Sequence, residues 1–448
     1  MSDHNRTAMT EYSNAAVWKI AAPMILSSVT VPLLGMVDTA VMGHLDEPVF
    51  LGGVAAGATI FAVLFMGLNF LRMGTTGITA QGFGAADNDR VRDTLARAML
   101  IALVLAALII LFRSVIGELA LALIAPSERV AAQTREYFSI RVWSAPAALF
   151  NFVMIGWLIG MQNARGPLAI IVTINTINIV LDLVFVVALG MKADGVALAT
   201  LIAEFCGAAA GFVIVRAELA DHPGSGAPVE LFDPRRYRKL FAMNTSLFIR
   251  TMSLMFVFAF ITAQGARMGD VVLAANALLL NFQWFLAYAL DGIAYAAEAL
   301  VGKAIGARDR DGIRIAVSRT LRWSLIFASG FSVVYLLTGG AIIDLLSDIE
   351  ELRAVAREYL PWMIISPLIS VWCFLYDGVF VGATRSREMM VVMAGSTLLV
   401  FLPTFFGLAQ FGNHALWLAF TLFMAARGIG MHAWFRRLVK QDALVTDR

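Results

Sequence analysis

Several carboxylate and amide side chains fall inside long apolar stretches, where ionisable groups are rare. Asp38 lies in an otherwise apolar segment that also contains Pro23 and Pro32. A carboxylate near the bilayer centre costs about 2.5–3.5 kcal/mol on insertion scales, so it marks an ion or substrate pathway by default. The alternative is an interfacial carboxylate solvated near the outer end of a helix. We favour a protonatable Asp38 on a helix that bends at a proline, because proline removes a backbone donor.

A second group of polar residues recurs at helical spacing. Asn175, Asn178 and Asp182 are separated by three and four residues, so they share one face of a helix. Three polar groups on one face favour a polar cavity, and the alternative is a hydrogen-bonded interface between helices. Further candidates in this half of the chain are Thr200, Glu204 and Asn151.

The second half of the chain has its own polar and aromatic candidates. They are Asp291, Glu298 and Asp377, with the aromatic pair Trp284 and Tyr288 as possible walls of a substrate cavity. Arg250 could neutralise Asp377 in a purely structural ion pair. Asp291 and Glu298 could equally line a water-filled vestibule. Aromatic side chains in membrane helices more often serve packing or the interface than a binding site.

Composition identifies the surroundings of these residues. The chain has 448 residues, of which 60% are hydrophobic and only 15% charged, with a mean hydropathy of +0.78. Soluble domains usually carry about 25% charged residues, so the lipid bilayer is the expected solvent. The net charge of +2 is too small to suggest a nucleic-acid partner, and the charged residues do not form one basic face. The two cysteines, Cys206 and Cys373, fall in apolar runs and are expected to pack rather than pair.

No enzyme signature is present in the sequence. We find no zinc-binding HExxH helix, no Walker lysine, no CxxC pair and no nucleophile elbow. The histidines are scattered, so we expect no metal site, and no other cofactor is implied. Without a nucleotide site, any transport must draw on an ion gradient.

Hydropathy predicts about twelve membrane-spanning helices. They are expected at residues 16–44, 50–82, 96–117, 137–162, 167–190, 194–216, 241–267, 272–303, 320–343, 357–383, 389–410 and 413–436. Lipid cannot satisfy an open backbone, so all should be helical. Lysine and arginine concentrate in one set of loops, and the positive-inside rule then places both termini in the cytoplasm.

The second half of the chain repeats the first at a constant offset. Residues 84–92 return as residues 306–314, Tyr137 meets Tyr359, and Gly156 meets Gly378. Six spans per half is an even number, so the two halves are a parallel repeat of the kind found in secondary transporters. The expected domains are an N-terminal bundle at 1–216, a cytoplasmic linker at 217–240 and a C-terminal bundle at 241–448.

These features together resemble the multidrug and toxic compound extrusion (MATE) family, most closely its DinF branch. The resemblance covers nearly all of the chain. It rests on the segment from Pro23 to Asp38, the paired Gly-rich loops, and the segments 248–251, 262–267 and 377–384. It implies two six-helix lobes and an antiporter that exports organic, often cationic or amphipathic, compounds in exchange for protons or sodium.

The resemblance also implies roles for single residues. Asp38 matches the first-span aspartate that is central to coupling, and Pro23 matches the proline whose kink accompanies protonation. The residues that match its N-lobe partners are Asn178, Asp182, Thr200 and Asn151. Asp377 matches a C-lobe aspartate of the sodium-coupled NorM branch. No seventh-span glutamate accompanies it, and Arg250 is nearby, which favours coupling in the N-lobe.

The sequence therefore predicts a proton-coupled multidrug efflux antiporter that works by alternating access. Alternatives are a sodium-coupled drug antiporter, a flippase for lipid-linked saccharides and a membrane enzyme acting on lipids. A flippase would need cavity cations, for which Arg72 and Arg250 are the obvious mid-span candidates. We expect a monomer in the bacterial inner membrane whose partners are small organic substrates, protons and lipid.

Overall fold

The structure is a computed structural model of the chain. It describes residues 10–43, 47–225 and 234–446, except for the side chains at 31–34, 36, 38–43, 48, 234–239 and 446. Within these ranges the chain forms helices joined by short loops, without a β-strand. The predicted all-α membrane fold is confirmed.

The helices of the first half of the chain are α1 Asn14–Gly43, α2 Pro48–Leu68, α3 Phe70–Gly84, α4 Asn88–Leu111, α5 Arg113–Ile124, α6 Glu128–Arg141, α7 Ala145–Gly160, α8 Arg165–Asp182 and α9 Ala193–Asp221. Those of the second half are α10 Pro234–Arg267, α11 Asp270–Gly306, α12 Arg310–Leu346, α13 Glu350–Gly382, α14 Ser386–Gly395, α15 Leu402–Gly407, α16 Asn413–Lys440 and α17 Ala443–Thr446. Two π-helical turns, Leu183–Ala188 and Ser396–Phe401, follow α8 and α14.

Eleven helical segments among the described residues are long and apolar enough to cross a membrane. α1 has 30 residues, which corresponds to roughly 45 Å and exceeds the hydrocarbon thickness. The second predicted span consists of α2 and α3, interrupted only at Asn69. α5 is a short helix that hydropathy did not predict. Residues 226–233 of the predicted linker lie outside the described residues.

The internal repeat reappears in the way helices touch. A Cβ atom added to Gly156 would lie 2.4 Å from the carbonyl oxygen of Arg72, and one added to Gly378 would lie 2.3 Å from that of Ala294. Gly378 and Ala294 are the counterparts of Gly156 and Arg72 in the repeat. The same backbone-to-backbone crossing therefore joins α3 to α7 and α11 to α13, and only glycine permits it.

The loop before α4 is repeated before α12. The Asp87 carboxylate accepts a hydrogen bond from the backbone N–H of Arg90 at 2.9 Å. The Asp309 carboxylate accepts one from Gly312 at 2.8 Å. Each is an N-cap that satisfies a donor at the start of a helix. The preceding residues, Ala86 and Arg308, both have positive φ angles, of 53° and 55°.

The chain divides into two compact units. The N-terminal unit is Leu26–Pro234, and the C-terminal unit combines Arg235–Arg448 with Met1–Ile25. The sequence placed all of residues 1–216 in the N-terminal bundle, so the assignment of Met1–Ile25 differs from that prediction. α1 is consequently shared, with its first part in the C-terminal unit and the rest in the N-terminal unit.

Packing explains why the first part of α1 belongs to the C-terminal unit. Trp18 packs edge-on against Trp323 of α12, with ring centroids 5.0 Å apart. The Lys303 ammonium lies 2.5 Å from the Glu11 carboxylate. A Cβ atom on Gly292 of α11 would lie 2.9 Å from the backbone nitrogen of Ile25, so the two helices approach closely there. Nothing in the local sequence signals these contacts, because they join the start of the chain to its second half.

Candidate functional site

α8 separates a polar face from an apolar one. Asn175, Asn178 and Asp182 are buried inside the N-terminal unit, and Asp182 is completely so. Val172 and Val180 are exposed on the same helix, as expected of residues that face lipid. The regular helix ends at Asp182, where the π-helical turn Leu183–Ala188 begins. Such turns interrupt the regular hydrogen-bond ladder and are frequent at functional sites.

The amide of Asn178 lies between Asp182 and Thr200. With its nitrogen towards the carboxylate, that nitrogen donates to Asp182 Oδ2 at 2.7 Å, and its oxygen accepts from the Thr200 hydroxyl at 2.9 Å. With the amide reversed, its nitrogen donates to Thr200 Oγ1 at 2.9 Å. The Thr200 hydroxyl also reaches the backbone oxygen of Val196, at 3.0 Å. The amide therefore has a hydrogen-bonding role in either orientation, and the choice depends on its partners.

A second part of the cluster joins α7 to α9. The buried Asn151 donates to the Glu204 carboxylate at 2.8 Å and to the Glu204 carbonyl at 3.1 Å. Thr200 and Glu204 are four residues apart, so they follow one another on the same face of α9. The polar residues predicted from α7, α8 and α9 thus form two hydrogen-bonded sets in the N-terminal unit, Asn178 with Thr200 and Asp182 and Asn151 with Glu204, which lie next to each other on one face of α9.

Arg141 contributes a positive charge to this group. It donates to the Tyr137 hydroxyl, and its guanidinium lies 5.0 Å from the centre of the Phe61 ring. It lies close enough to Glu204 to interact electrostatically. The sequence analysis did not single it out. Its position inside the predicted span 137–162 was the available signal, because charged residues in spans are rare.

α1 is tied to the cluster through Thr30. The Asn175 amide donates to the Thr30 hydroxyl at 2.7 Å. Pro23, the predicted hinge, lies in the same helix and precedes the boundary between the two units, which falls between Ile25 and Leu26. Asp38 is also part of α1, but its side chain lies outside the described residues.

The C-terminal unit contains a second charged cluster. Arg250 of α10 donates to Asp377 Oδ2 of α13, and Arg427 of α16 donates to the same oxygen at 2.9 Å. The pairing of Arg250 with Asp377 that the sequence left open is therefore present, with an additional arginine. Arg427 lies within the predicted span 413–436, where an intramembrane charge is itself a signal.

The remaining candidates of the C-terminal unit lie on α11. Glu298 is buried, and Asp291 is half-buried. Trp284 stacks on Phe258 with ring centroids 5.1 Å apart. Tyr288 is half-buried and lies three residues before Asp291, on the same helix face. Among the described residues, no group of three or more His, Cys, Asp or Glu side chains is arranged to hold a metal ion.

A helical membrane protein with two repeated halves and buried carboxylates and amides inside one of them has the architecture of a secondary transporter. The family model named MatE matches residues 23–184 and 246–406, and the chain belongs to that family. The two matched segments follow the internal repeat seen in the sequence. The resemblance to the MATE family is confirmed, and the protein is a transporter of that family rather than an enzyme.

Relatives extend over almost the whole chain. The chain is 47% identical over 425 residues to DNA damage-inducible protein F of Escherichia coli K12, covering 95% of this chain and 92% of that protein. It is 22% identical over 409 residues to a probable multidrug resistance protein NorM of Bacillus cereus, covering 88% and 87%. A crystal structure of a MATE protein in the bent conformation has a TM-score of 0.87 at 16% identity, with both chains covered fully. That structure establishes the fold alone.

Proposed function

We propose that the protein is a multidrug efflux antiporter that exports organic, often cationic or amphipathic, compounds in exchange for protons by alternating access. Membership of the MatE family and similarity to a probable multidrug resistance protein support export of organic compounds. The observation that carries proton coupling is the buried contact of Asn178 with Asp182 and Thr200.

The protonation state of Asp182 selects the orientation of the Asn178 amide. An ionised carboxylate only accepts hydrogen bonds, so it requires the amide nitrogen of Asn178 to face it. A protonated carboxyl group has an O–H to donate and stabilises the reverse orientation, in which the amide oxygen faces Asp182. The nitrogen then donates to Thr200, whose hydroxyl proton bonds the Val196 carbonyl. One proton thereby rearranges three side chains without moving the backbone.

The Asn175–Thr30 hydrogen bond offers a route from this group to α1. Thr30 lies between Pro23 and Asp38 on that helix. We propose that Asp38 and Asp182 take up protons from the outside and that the resulting rearrangement changes the bend of α1 at Pro23. The missing N–H of Pro23 weakens the helix there, beside the boundary between the two units.

Ionised carboxylates of the cluster would attract a cationic substrate when no proton is bound. When ionised, Asp182 and Glu204 carry two negative charges in the described part of the cluster, against the single positive charge of Arg141. Proton and substrate would then compete for the same charge, so that uptake of a proton favours release of the substrate. A sodium ion is the alternative coupling ion, because the oxygens of Asp182, Asn178 and Thr200 are also suitable ligands for it.

We also propose that the protein acts as a monomer in the bacterial inner membrane, with both termini in the cytoplasm. The distribution of lysine and arginine among the loops supports this orientation. Similarity to a protein of Escherichia coli supports the bacterial membrane. Two repeated halves within one chain support a monomer, since together they supply both parts of a transport pathway.

The test is efflux of ethidium from liposomes that contain the purified protein. A pH gradient and a sodium gradient are imposed separately on the wild type, Asp38→Asn and Asp182→Asn. Asp348→Asn is the matched control, because Asp348 is fully exposed. We expect the pH gradient alone to drive efflux, and both cluster variants to lose at least about tenfold of it while the control retains it.

Other outcomes would reject the proposal. Efflux driven only by sodium would identify a sodium antiporter. Absence of efflux with either gradient, together with movement of a lipid-linked saccharide, would identify a flippase. Product formation from lipid substrates without any gradient would identify a membrane enzyme. Full proton-driven efflux by a folded Asp38→Asn variant would reject the role of that residue.

A further inference from the structure

The charges of the C-terminal cluster do not balance. One carboxylate, that of Asp377, meets the two guanidinium groups of Arg250 and Arg427, which leaves one net positive charge. The three side chains are largely buried, with Arg427 only 3% exposed. In the ranges that the structure describes, no second carboxylate contacts either guanidinium. A buried charge without a counter-charge is costly, so the cluster is poised to accept one negative charge.

Hydrogen-bond donors for that negative charge are already in place. The Nε atoms of Arg250 and Arg427 are both buried and have no acceptor among the described residues. Each belongs to a planar group whose N–H bonds match the two oxygens of a carboxylate. The other terminal nitrogen of Arg427 points at the Met424 sulfur, 3.2 Å away, which is a weak acceptor. An entering anion would therefore satisfy donors that the protein leaves unused.

We propose that the C-terminal unit binds a monoanion at Arg250 and Arg427, beside Asp377. One net positive charge matches one negative charge and favours a carboxylate, a sulfonate or a halide over a phosphate dianion. One net positive charge is also less than a carrier of pyrophosphate-linked lipids would need.

Apolar neighbours indicate which monoanion fits. The Phe423 ring lies 5.3 Å from the guanidinium of Arg427, and Phe401 and Phe420 pack against Phe423 at 6.0 and 6.4 Å. Phe401, Phe420, Phe423 and Met424 are themselves packed, each at most 2% exposed. The hydrocarbon part of an amphipathic compound would therefore approach from the partly exposed side of Arg250 and Asp377 and contact this apolar surface only by displacing it. The site thus suits the acidic group of an aromatic or amphipathic organic anion. An organic anion bound here would extend the substrate class beyond cations. Its role as a transported substrate rests on the proposed transport function.

The experiment measures binding to the purified full-length protein in neutral detergent, without any gradient. Calorimetric titrations use 2-naphthoate, the uncharged 2-naphthol and chloride as separate probes. We expect wild type to bind 2-naphthoate at least about tenfold more tightly than 2-naphthol. Competition by chloride at similar concentrations would identify an inorganic monoanion as the physiological occupant, and its absence would identify the organic acid.

The direction in which substitutions in the cluster change the affinity for 2-naphthoate distinguishes an anion site from a cation site. Asp377→Asn raises the net charge of the cluster and should tighten 2-naphthoate binding about tenfold, whereas a cation site would lose affinity. Arg250→Gln leaves a neutral pair of Arg427 and Asp377, and should weaken binding about tenfold. Arg310→Gln is the control, because Arg310 is exposed and lies outside the cluster.

The proposal is overturned if 2-naphthoate and 2-naphthol bind equally, or if binding is the same in all variants, which would indicate partition into the micelle. Weaker binding by Asp377→Asn would also overturn it. Size-exclusion profiles establish which variants fold, and Arg250→Gln decides the question if Asp377→Asn does not fold. Because no gradient is involved, binding without efflux would reject the proposed antiport and leave the anion site standing.

Discussion

Arg427 and Arg250 donate to the same oxygen of Asp377, although they lie on α16 and α10, at opposite ends of the second half of the chain. The two arginines thus occupy the carboxylate that the sequence matched to the cation site of the NorM branch. A cation that approached this carboxylate would be repelled by the two guanidinium groups already bound to it. The arrangement therefore argues for coupling in the N-terminal unit, where the Glu204 carboxylate accepts a hydrogen bond from the neutral amide of Asn151 and Arg141 acts on it only electrostatically.

Truncation of Asp377 should destabilise the C-terminal cluster more than truncation of Arg250. Asp377→Ala would leave two buried guanidinium groups without a counter-charge and should lower the free energy of unfolding by about 3–5 kcal/mol. Arg250→Met leaves one neutral pair and should cost clearly less. Equilibrium unfolding of the purified variants in mixed micelles measures the difference. Equal losses in the two variants would show that charge balance does not govern the stability of this cluster.

The repeated glycine crossings predict parallel losses of stability. Gly156→Ala and Gly378→Ala each place a Cβ atom within 2.4 Å of a backbone oxygen, so α3–α7 and α11–α13 must move apart. Overpacking of this kind typically costs about 1–3 kcal/mol. Gly395→Ala is the control, since nothing lies within 4 Å of its added Cβ. Thermal unfolding in detergent checks the prediction, and a control as unstable as the two variants would contradict it.

Thr200 predicts a dependence of transport on one hydroxyl group. Thr200→Val keeps the shape of the side chain but removes the partner of the Asn178 amide. A hydrogen bond contributes about 0.5–1.5 kcal/mol, so proton-driven efflux should fall roughly two- to tenfold. Thr200→Ser retains the hydroxyl and should retain efflux. If the valine and serine variants behave alike, the hydroxyl takes no part in coupling.

Substitution of Pro23 should lower transport without lowering stability. Pro23→Ala restores a backbone N–H and should leave the protein as stable as the wild type or more stable. Efflux should nevertheless decrease, because α1 becomes harder to bend beside the boundary between the units. Pro361→Ala, at a proline inside α13, is the matched control and should keep its efflux. Unchanged efflux in Pro23→Ala would remove the hinge from the mechanism.

Local patterns were enough to predict the helices and much of the N-terminal cluster. Continuous apolar runs determine membrane helices, and spacing by three and four residues placed Asn175, Asn178 and Asp182 on one face. Their polar types inside predicted spans singled out Thr200, Glu204 and Asn151, and the resemblance to the MATE family gave Thr200 and Asn151 a role in coupling. The internal repeat predicted the paired loops and matched Gly156 with Gly378, whereas the helix crossings at these glycines were found only in the structure.

Other partners depend on tertiary packing that no local pattern encodes. The Thr30 hydroxyl bonds the Ser27 carbonyl of its own helix at 2.7 Å, as membrane threonines commonly do, so its second bond to Asn175 has no sequence signal. Arg141 and Arg427 were visible as charges inside predicted spans, but their carboxylate partners lie on other helices. The assignment of the first part of α1 likewise depends on contacts with distant helices.

The division of α1 between the units bears on how the protein is made. The segment 14–25 is synthesised before Gly292 and Trp323, the residues against which it packs. During synthesis this segment must wait in the membrane without the surface on which it finally packs. The N-terminal unit can assemble while the ribosome is still translating, whereas the C-terminal unit is complete only when segment 14–25 joins helices that are synthesised more than 200 residues later. Severing the chain after Ile25 should therefore harm the maturation of the distant half of the protein.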